Sequence, residues 1–226
     1  TWGEGRRSRL APYSRVADVQ VAITFLGAQP EVDEDRIGIY GTSYGGATVT
    51  WVAAVDKRVK CTVSVVGIGH GERWMSRVRR PYEWKELLER SKQDRVQRAL
   101  TGRSEYADRN QILLPDPDSL RLATAARQQV KGAVSEIPLE YVDDTVGFNP
   151  EWVVDKIAPR PILFITSDND LLVLPEESEE LYKRAGEPKK LVVLKGYSHY
   201  EVYAEPAFSE VMAPTIEWFR HYLPPR

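Results

Sequence analysis

The stretch Arg36–Val55, RIGIYGTSYGGATVTWVAAV, sets one serine at the junction of two different local patterns. Ile37 to Gly41 form a short, mostly apolar run of strand length. Gly46 onward is a compact apolar segment of helical length. Ser43 stands between Gly41 and Gly45, in the arrangement G-x-S-x-G. At a strand-to-helix turn this is a nucleophile elbow. The turn is tight enough to strain the serine backbone, so the positions two before and two after it are expected to be small. Gly41 and Gly45 meet that need, and Gly46 adds room. The helix that follows aims its positive end at the serine, and the Tyr44 N–H is the candidate oxyanion donor. A glycine-rich turn with an incidental serine is the plainer alternative.

A serine hydroxyl is a weak nucleophile unless a base takes its proton and a carboxylate orients that base. After an elbow of this kind the acid and then the histidine follow in chain order. Asp168 and Asp170 stand just past the apolar run PILFIT, and His199 stands in GYSH, just past LVVL. Both positions fall at C-terminal strand ends, where sites in open α/β sheets assemble. On the residues alone, either aspartate could serve.

Composition narrows the alternatives. The chain has 226 residues, 42% of them hydrophobic, which is enough for a large core, and a net charge of −2, which argues against nucleic-acid binding. No run reaches the ~18–20 apolar residues of a membrane span, and residues 1–13 hold no hydrophobic signal core, so a cytoplasmic location is expected. The single cysteine, Cys61, lies within an apolar run and reads as core packing. His70, His199 and His221 are too far apart to suggest a metal site, so neither metal nor other cofactor is expected.

Along the chain, apolar runs near 37–41, 60–66, 161–166 and 191–195 read as strands. Val16, Val19, Ile23 and Leu26 recur at helical spacing behind Ser14 as N-cap, and 1–12 reads as a loop. Residues 175–186 run from proline and glutamates to Lys183, Arg184 and Gly186, the order a helix dipole favours. A final amphipathic helix over 208–223 is expected to bend near Pro214. Strands alternating with helices predict a mainly parallel sheet in an α/β fold. The block between His70 and about Arg160 is charged, Trp-containing and helical. The expected organisation is therefore a core over 1–69, a helical cap insertion over 70–159, and a second core segment over 160–226.

On RIGIYGTSYGG, PILFITSDNDLLVLPEES and KKLVVLKGYSHYEVY the chain resembles the serine hydrolases of the α/β-hydrolase superfamily. Dienelactone-hydrolase-like and prolyl-oligopeptidase-like bacterial esterases are the similar groups. The resemblance covers essentially the whole chain and is weakest in the insertion. It implies a Ser-Asp-His triad of Ser43, Asp170 and His199, because the family's acid is the third residue after a small one, here Ser167. Asp168 then shapes its loop. Dienelactone hydrolases proper carry cysteine at the elbow, where this chain has Ser43, so their special lactone chemistry is disfavoured. The superfamily sheet has eight strands and only four are read here. The resemblance thus implies that the N-terminal half of the sheet, and with it the second oxyanion donor, belongs to a missing segment or a second chain, with a naturally reduced domain as the alternative. The strand at 37–41 would then show an unpaired edge.

The activity so implied is cleavage of a carboxylic ester or related acyl bond in a small-molecule substrate, with no nucleic-acid or membrane partner. Two alternatives stand beside it: a peptidase or amidase of the prolyl-oligopeptidase type, and a non-catalytic assembly subunit. His70 follows the strand 60–66 and either borders the pocket or only serves its loop. Trp74, with Met75, Tyr82, Trp84 and Trp152, either lines an acyl pocket or packs within the insertion. The cluster RWMSRVRR either attracts an acidic substrate or is a solvated face, and His221 reads as surface.

Overall fold

A computed structural model of the chain describes residues 11–121, 124 and 135–224. They fall into two compact units, Gly71–Phe148 (with the chain start to Pro12) and Tyr13–His70 with Asn149–Arg226.

The second unit holds a four-stranded parallel sheet, in the order β1 (Ile37–Thr42), β2 (Val59–Val65), β5 (Ile162–Ser167), β6 (Lys189–Leu194). All four strands fall within two residues of the runs read from sequence. The two central strands are buried almost throughout, as uninterrupted apolar runs such as VKCTVSV and ILFITS require. Val63 and Val65 of β2 pack with Leu163 and Ile165 of β5, Leu194 of β6, and Val211 of the last helix.

Helix α1 (Pro12–Gly27) begins two residues before the expected Ser14 cap, because proline suits the first helical turn, where its missing N–H costs nothing. Helix α2 (Tyr44–Val55) follows β1 directly. The helix at Glu176–Arg184 ends before Gly186, on Ala185 in extended conformation. The terminal helix Ala207–Tyr222 runs through Pro214 and closes on β1, where a Cβ at Gly38 would come within 2.7 Å of the Phe219 ring. Among the described residues β1 pairs only with β2, and Tyr40, Val21 and Phe25 are exposed.

In the first unit the helical stretch read as continuous is divided. Helix α3 (Gly71–Arg77) stops before Pro81, which opens α4 (Pro81–Thr101). The Arg80 N–H donates to Glu83 Oε2 at 2.8 Å, and Gly102 ends the helix at φ +70°. Two three-residue strands, β3 (Tyr106–Asp108) and β4 (Glu136–Pro138), pair antiparallel where only helix was expected. They are too short for alternation to register in sequence. Helices α5 (Arg109–Ile112) and α6 (Glu140–Val146) belong to the same unit. Residues 122, 123 and 125–134 of the block read as helical lie outside the described residues.

Candidate active site

Ser43 sits between β1 and α2 with φ 56° and ψ −124°, a region that residues other than glycine rarely enter. Its N–H donates to Val65 O at 2.8 Å, tying the elbow to the end of β2. Val66, the next residue of that strand end, also has positive φ, 43°, and its N–H donates to Ile165 O at 2.7 Å. Positive φ is costly for a β-branched residue, and nothing in the sequence around Val66 signals it. The two strained positions thus lie side by side at neighbouring strand ends.

The expected roles of the glycines need one correction. A Cβ at Gly41 would run into the carbonyl of Gly45, and one at Gly46 would lie 2.8 Å from both Gly67 Cα and Ser64 Oγ. A Cβ at Gly45 would meet nothing within 4 Å. The steric demand therefore falls on Gly41 and Gly46, while Gly45 supplies the backbone that Gly41 must clear.

Asp170 and His199 are both buried. Asp170 Oδ1 accepts the N–H groups of Leu172 at 2.9 Å and Val173 at 2.8 Å, so the carboxylate is locked by its own loop. Its Oδ2 lies 2.7 Å from His199 Nδ1, and His199 Nε2 lies 2.9 Å from Ser43 Oγ. Asp168 points elsewhere, with Oδ1 accepting the Gly196 N–H at 2.7 Å and Oδ2 lying 3.1 Å from Lys195 Nζ. Those two contacts, the Gly196 N–H first, hold its carboxyl below the usual carboxylate range.

Tyr44 is the first residue of α2, so its N–H lies in the first turn, and the Arg15 guanidinium rests over its ring at 5.3 Å. The His199 ring meets Tyr200 edge to face, and Tyr200 stands 6.1 Å from Tyr203. Desolvation pushes the Tyr203 hydroxyl above the ordinary phenol value. No spacing rule points to Tyr203.

The remaining candidates are placed as follows. The His70 N–H donates to Glu177 Oε2 at 2.8 Å, as does the Gly69 N–H at 2.9 Å, and the His70 ring meets Trp152 edge to face. Trp74 and Met75 are buried and belong to the other unit, on α3. Arg79 of the basic cluster departs from both readings offered for it. It donates to the carbonyls of Met75 at 2.7 Å, Gln111 at 3.1 Å, and Ile112. His221 is exposed and Cys61 is buried, its thiol pushed up to about 12 by desolvation. Among the described residues no helix is long and apolar enough to cross a membrane, and no group of three or more His, Cys, Asp or Glu could hold a metal ion.

The model of the prolyl oligopeptidase family matches residues 6–123, just over half of the chain. An uncharacterized 31.7 kDa protein in the traX-finO intergenic region of Escherichia coli is 28% identical over 225 residues, covering 97% of this chain and 77% of that protein. Polyketide transferase claH of Penicillium crustosum is 25% identical, covering 96% of this chain and 73% of the relative. In three dimensions the chain is similar to the crystal structure of the α/β hydrolase GrgF from Penicillium sp. sh18. The TM-score is 0.77 at 20% identity, over 98% of this chain and 75% of that one. With the elbow, the sheet order and the family match in agreement, the chain belongs to the prolyl oligopeptidase family and has the α/β-hydrolase fold.

Proposed function

We propose that the protein is a serine hydrolase that cleaves a carboxylic ester or related acyl bond through an acyl-enzyme. The observation that carries this reading is the relay of two short contacts, Ser43 to His199 at 2.9 Å and His199 to Asp170 at 2.7 Å. Ser43 Oγ attacks the substrate carbonyl while its proton passes to His199 Nε2. The oxyanion forms against the Tyr44 N–H at the start of α2. On collapse the C–O bond to the leaving group breaks, and His199 returns the proton to the departing alcohol. Water then attacks the acyl-Ser43 ester, His199 takes its proton, and the acid departs with Ser43 restored. Asp170 holds the Nδ1–H tautomer and stabilises the imidazolium. The name of a relative, acyltransferase drtE of Aspergillus calidoustus, supports acyl chemistry.

A second reading, hydrolysis of an amide or peptide bond by the same residues, is favoured by the prolyl oligopeptidase family match. A nitrophenyl ester against a proline-containing anilide separates the two. The test of the proposal itself is intact mass before and after a fluorophosphonate. One adduct on the wild-type chain, absent in Ser43→Ala, is expected. An unlabelled wild-type protein would overturn the proposal.

A further inference from the structure

The contacts between the acid loop and the histidine loop form a series. Ser167 Oγ donates to Tyr197 O at 2.5 Å. Asp168 Oδ1 accepts the Gly196 N–H at 2.7 Å, and Asn169 Nδ2 donates to Gly196 O at 3.2 Å. Asp170 Oδ2 then meets His199 Nδ1 at 2.7 Å. Four consecutive residues, Ser-Asp-Asn-Asp, thus each hold a point on Gly196–His199, and both peptide polar groups of Gly196 are taken. We propose that Asp168 is a positioning residue, a carboxylate clamp on Gly196 that delivers His199 to Asp170 and Ser43. The inference rests on the catalytic reading above.

The geometry explains why a clamp is needed. β6 is the far edge of the sheet from β1, and three strand spacings, roughly 14 Å, separate the two. His199 leaves β6 at Leu194 and must still reach Ser43 at the end of β1. The five residues of the loop, bent at Lys195 and Gly196, share that crossing with the His199 side chain. The loop's starting direction then decides where the imidazole arrives. Gly196 sits at φ +82°, a conformation that glycine adopts without strain. The Asp168 carboxylate receives the N–H of this residue in a short, charge-assisted bond. The Lys195 contact is the weaker part, because that side chain is 81% exposed. The Asp168 side chain is 41% exposed, so water can reach the Gly196 N–H when the carboxylate is removed.

The experiment uses Asp168→Ala, Asp168→Asn and Lys195→Met in the full chain. It reads nitrophenyl-ester kinetics and the downfield NMR signal of the His199 Nδ1 proton bonded to Asp170. Asp168→Ala is expected to lose up to about a hundredfold in kcat with KM unchanged, as misplacement of a catalytic group does. Its downfield signal should broaden or vanish while the melting temperature stays near that of the wild type. Asp168→Asn keeps an acceptor for Gly196 and should restore most of both readouts. Lys195→Met should stay within about twofold of wild type. An Asp168→Ala protein with an unchanged downfield signal would overturn the clamp, whatever its activity. A wild-type protein lacking the signal would overturn it too. If the signal is present and Asp168-dependent but Ser43 takes no fluorophosphonate, the clamp stands and the hydrolase reading fails.

Discussion

Ser43 Oγ and His199 Nε2 stand 2.9 Å apart across 156 positions of sequence, although their strands are the two opposite edges of the described sheet. The contact exists because both loops leave the same, C-terminal, ends of parallel strands. Parallel pairing puts those ends on one side of the sheet, and the loop after β6 turns back across β5 and β2 to meet the elbow.

Asp170→Asn is expected to be far more damaging than its size suggests. The amide oxygen can still accept the Leu172 and Val173 N–H groups, so the loop should hold. The amide nitrogen would then face His199 Nδ1 as a donor and force the proton onto Nε2, where it cannot receive the serine proton. Turnover should fall by about 10⁴-fold with the melting temperature little changed. Steady-state kinetics and a thermal melt on the one variant check both halves.

The elbow glycines should differ in a way that the motif alone does not suggest. Gly41→Ala forces the Gly45 carbonyl away and should destabilise the fold by about 1–3 kcal/mol while disabling Ser43. Gly45→Ala adds a methyl group to open space in the first turn of α2 and should keep the stability of the wild type. Urea unfolding of the two variants side by side decides the matter. Equal losses would contradict the assignment of the steric demand to Gly41.

Stability should depend on pH through Asp56. Its carboxylate accepts Arg58 Nε at 2.9 Å, Arg58 Nη2 at 2.6 Å and the Arg58 N–H at 3.1 Å, just past the end of α2. The Arg58 side-chain bonds lead in holding its pKa below the ordinary 3.8, against the opposing effect of burial. A lowered folded value means that the contribution is fully present above pH ~4 and is lost as pH falls through the folded value. The gap in melting temperature between wild type and Asp56→Asn should be constant from neutral pH down to about pH 5, then close on further acidification. A gap that widens in acid would reverse the sign.

Cys61 should be chemically silent in the folded protein. The thiol is fully buried in β2 and raised to about 12, so almost none is thiolate at neutral pH. Iodoacetamide should leave the native mass unchanged and add one group only after denaturation. Labelling of the native chain at a rate typical of exposed cysteines would contradict that placement.

The elements that the sequence by itself determined are those written in short-range pattern. Ile162–Ser167 is a strand because six consecutive residues suit burial on both faces, and Ser43 reads as an elbow because its glycines lie within three positions of it. The choice between Asp168 and Asp170 was not written there. Two aspartates two residues apart in one turn have the same local chemistry, and on the residues alone they stayed equivalent. Tertiary structure separates them, turning one carboxylate to Gly196 and the other to His199. The same holds for the pairing of Tyr106–Asp108 with Glu136–Pro138 and for the positive φ of Val66. Each depends on where a distant segment comes to rest, and that is set by the sum of many packing contacts rather than by the preferences of neighbouring residues.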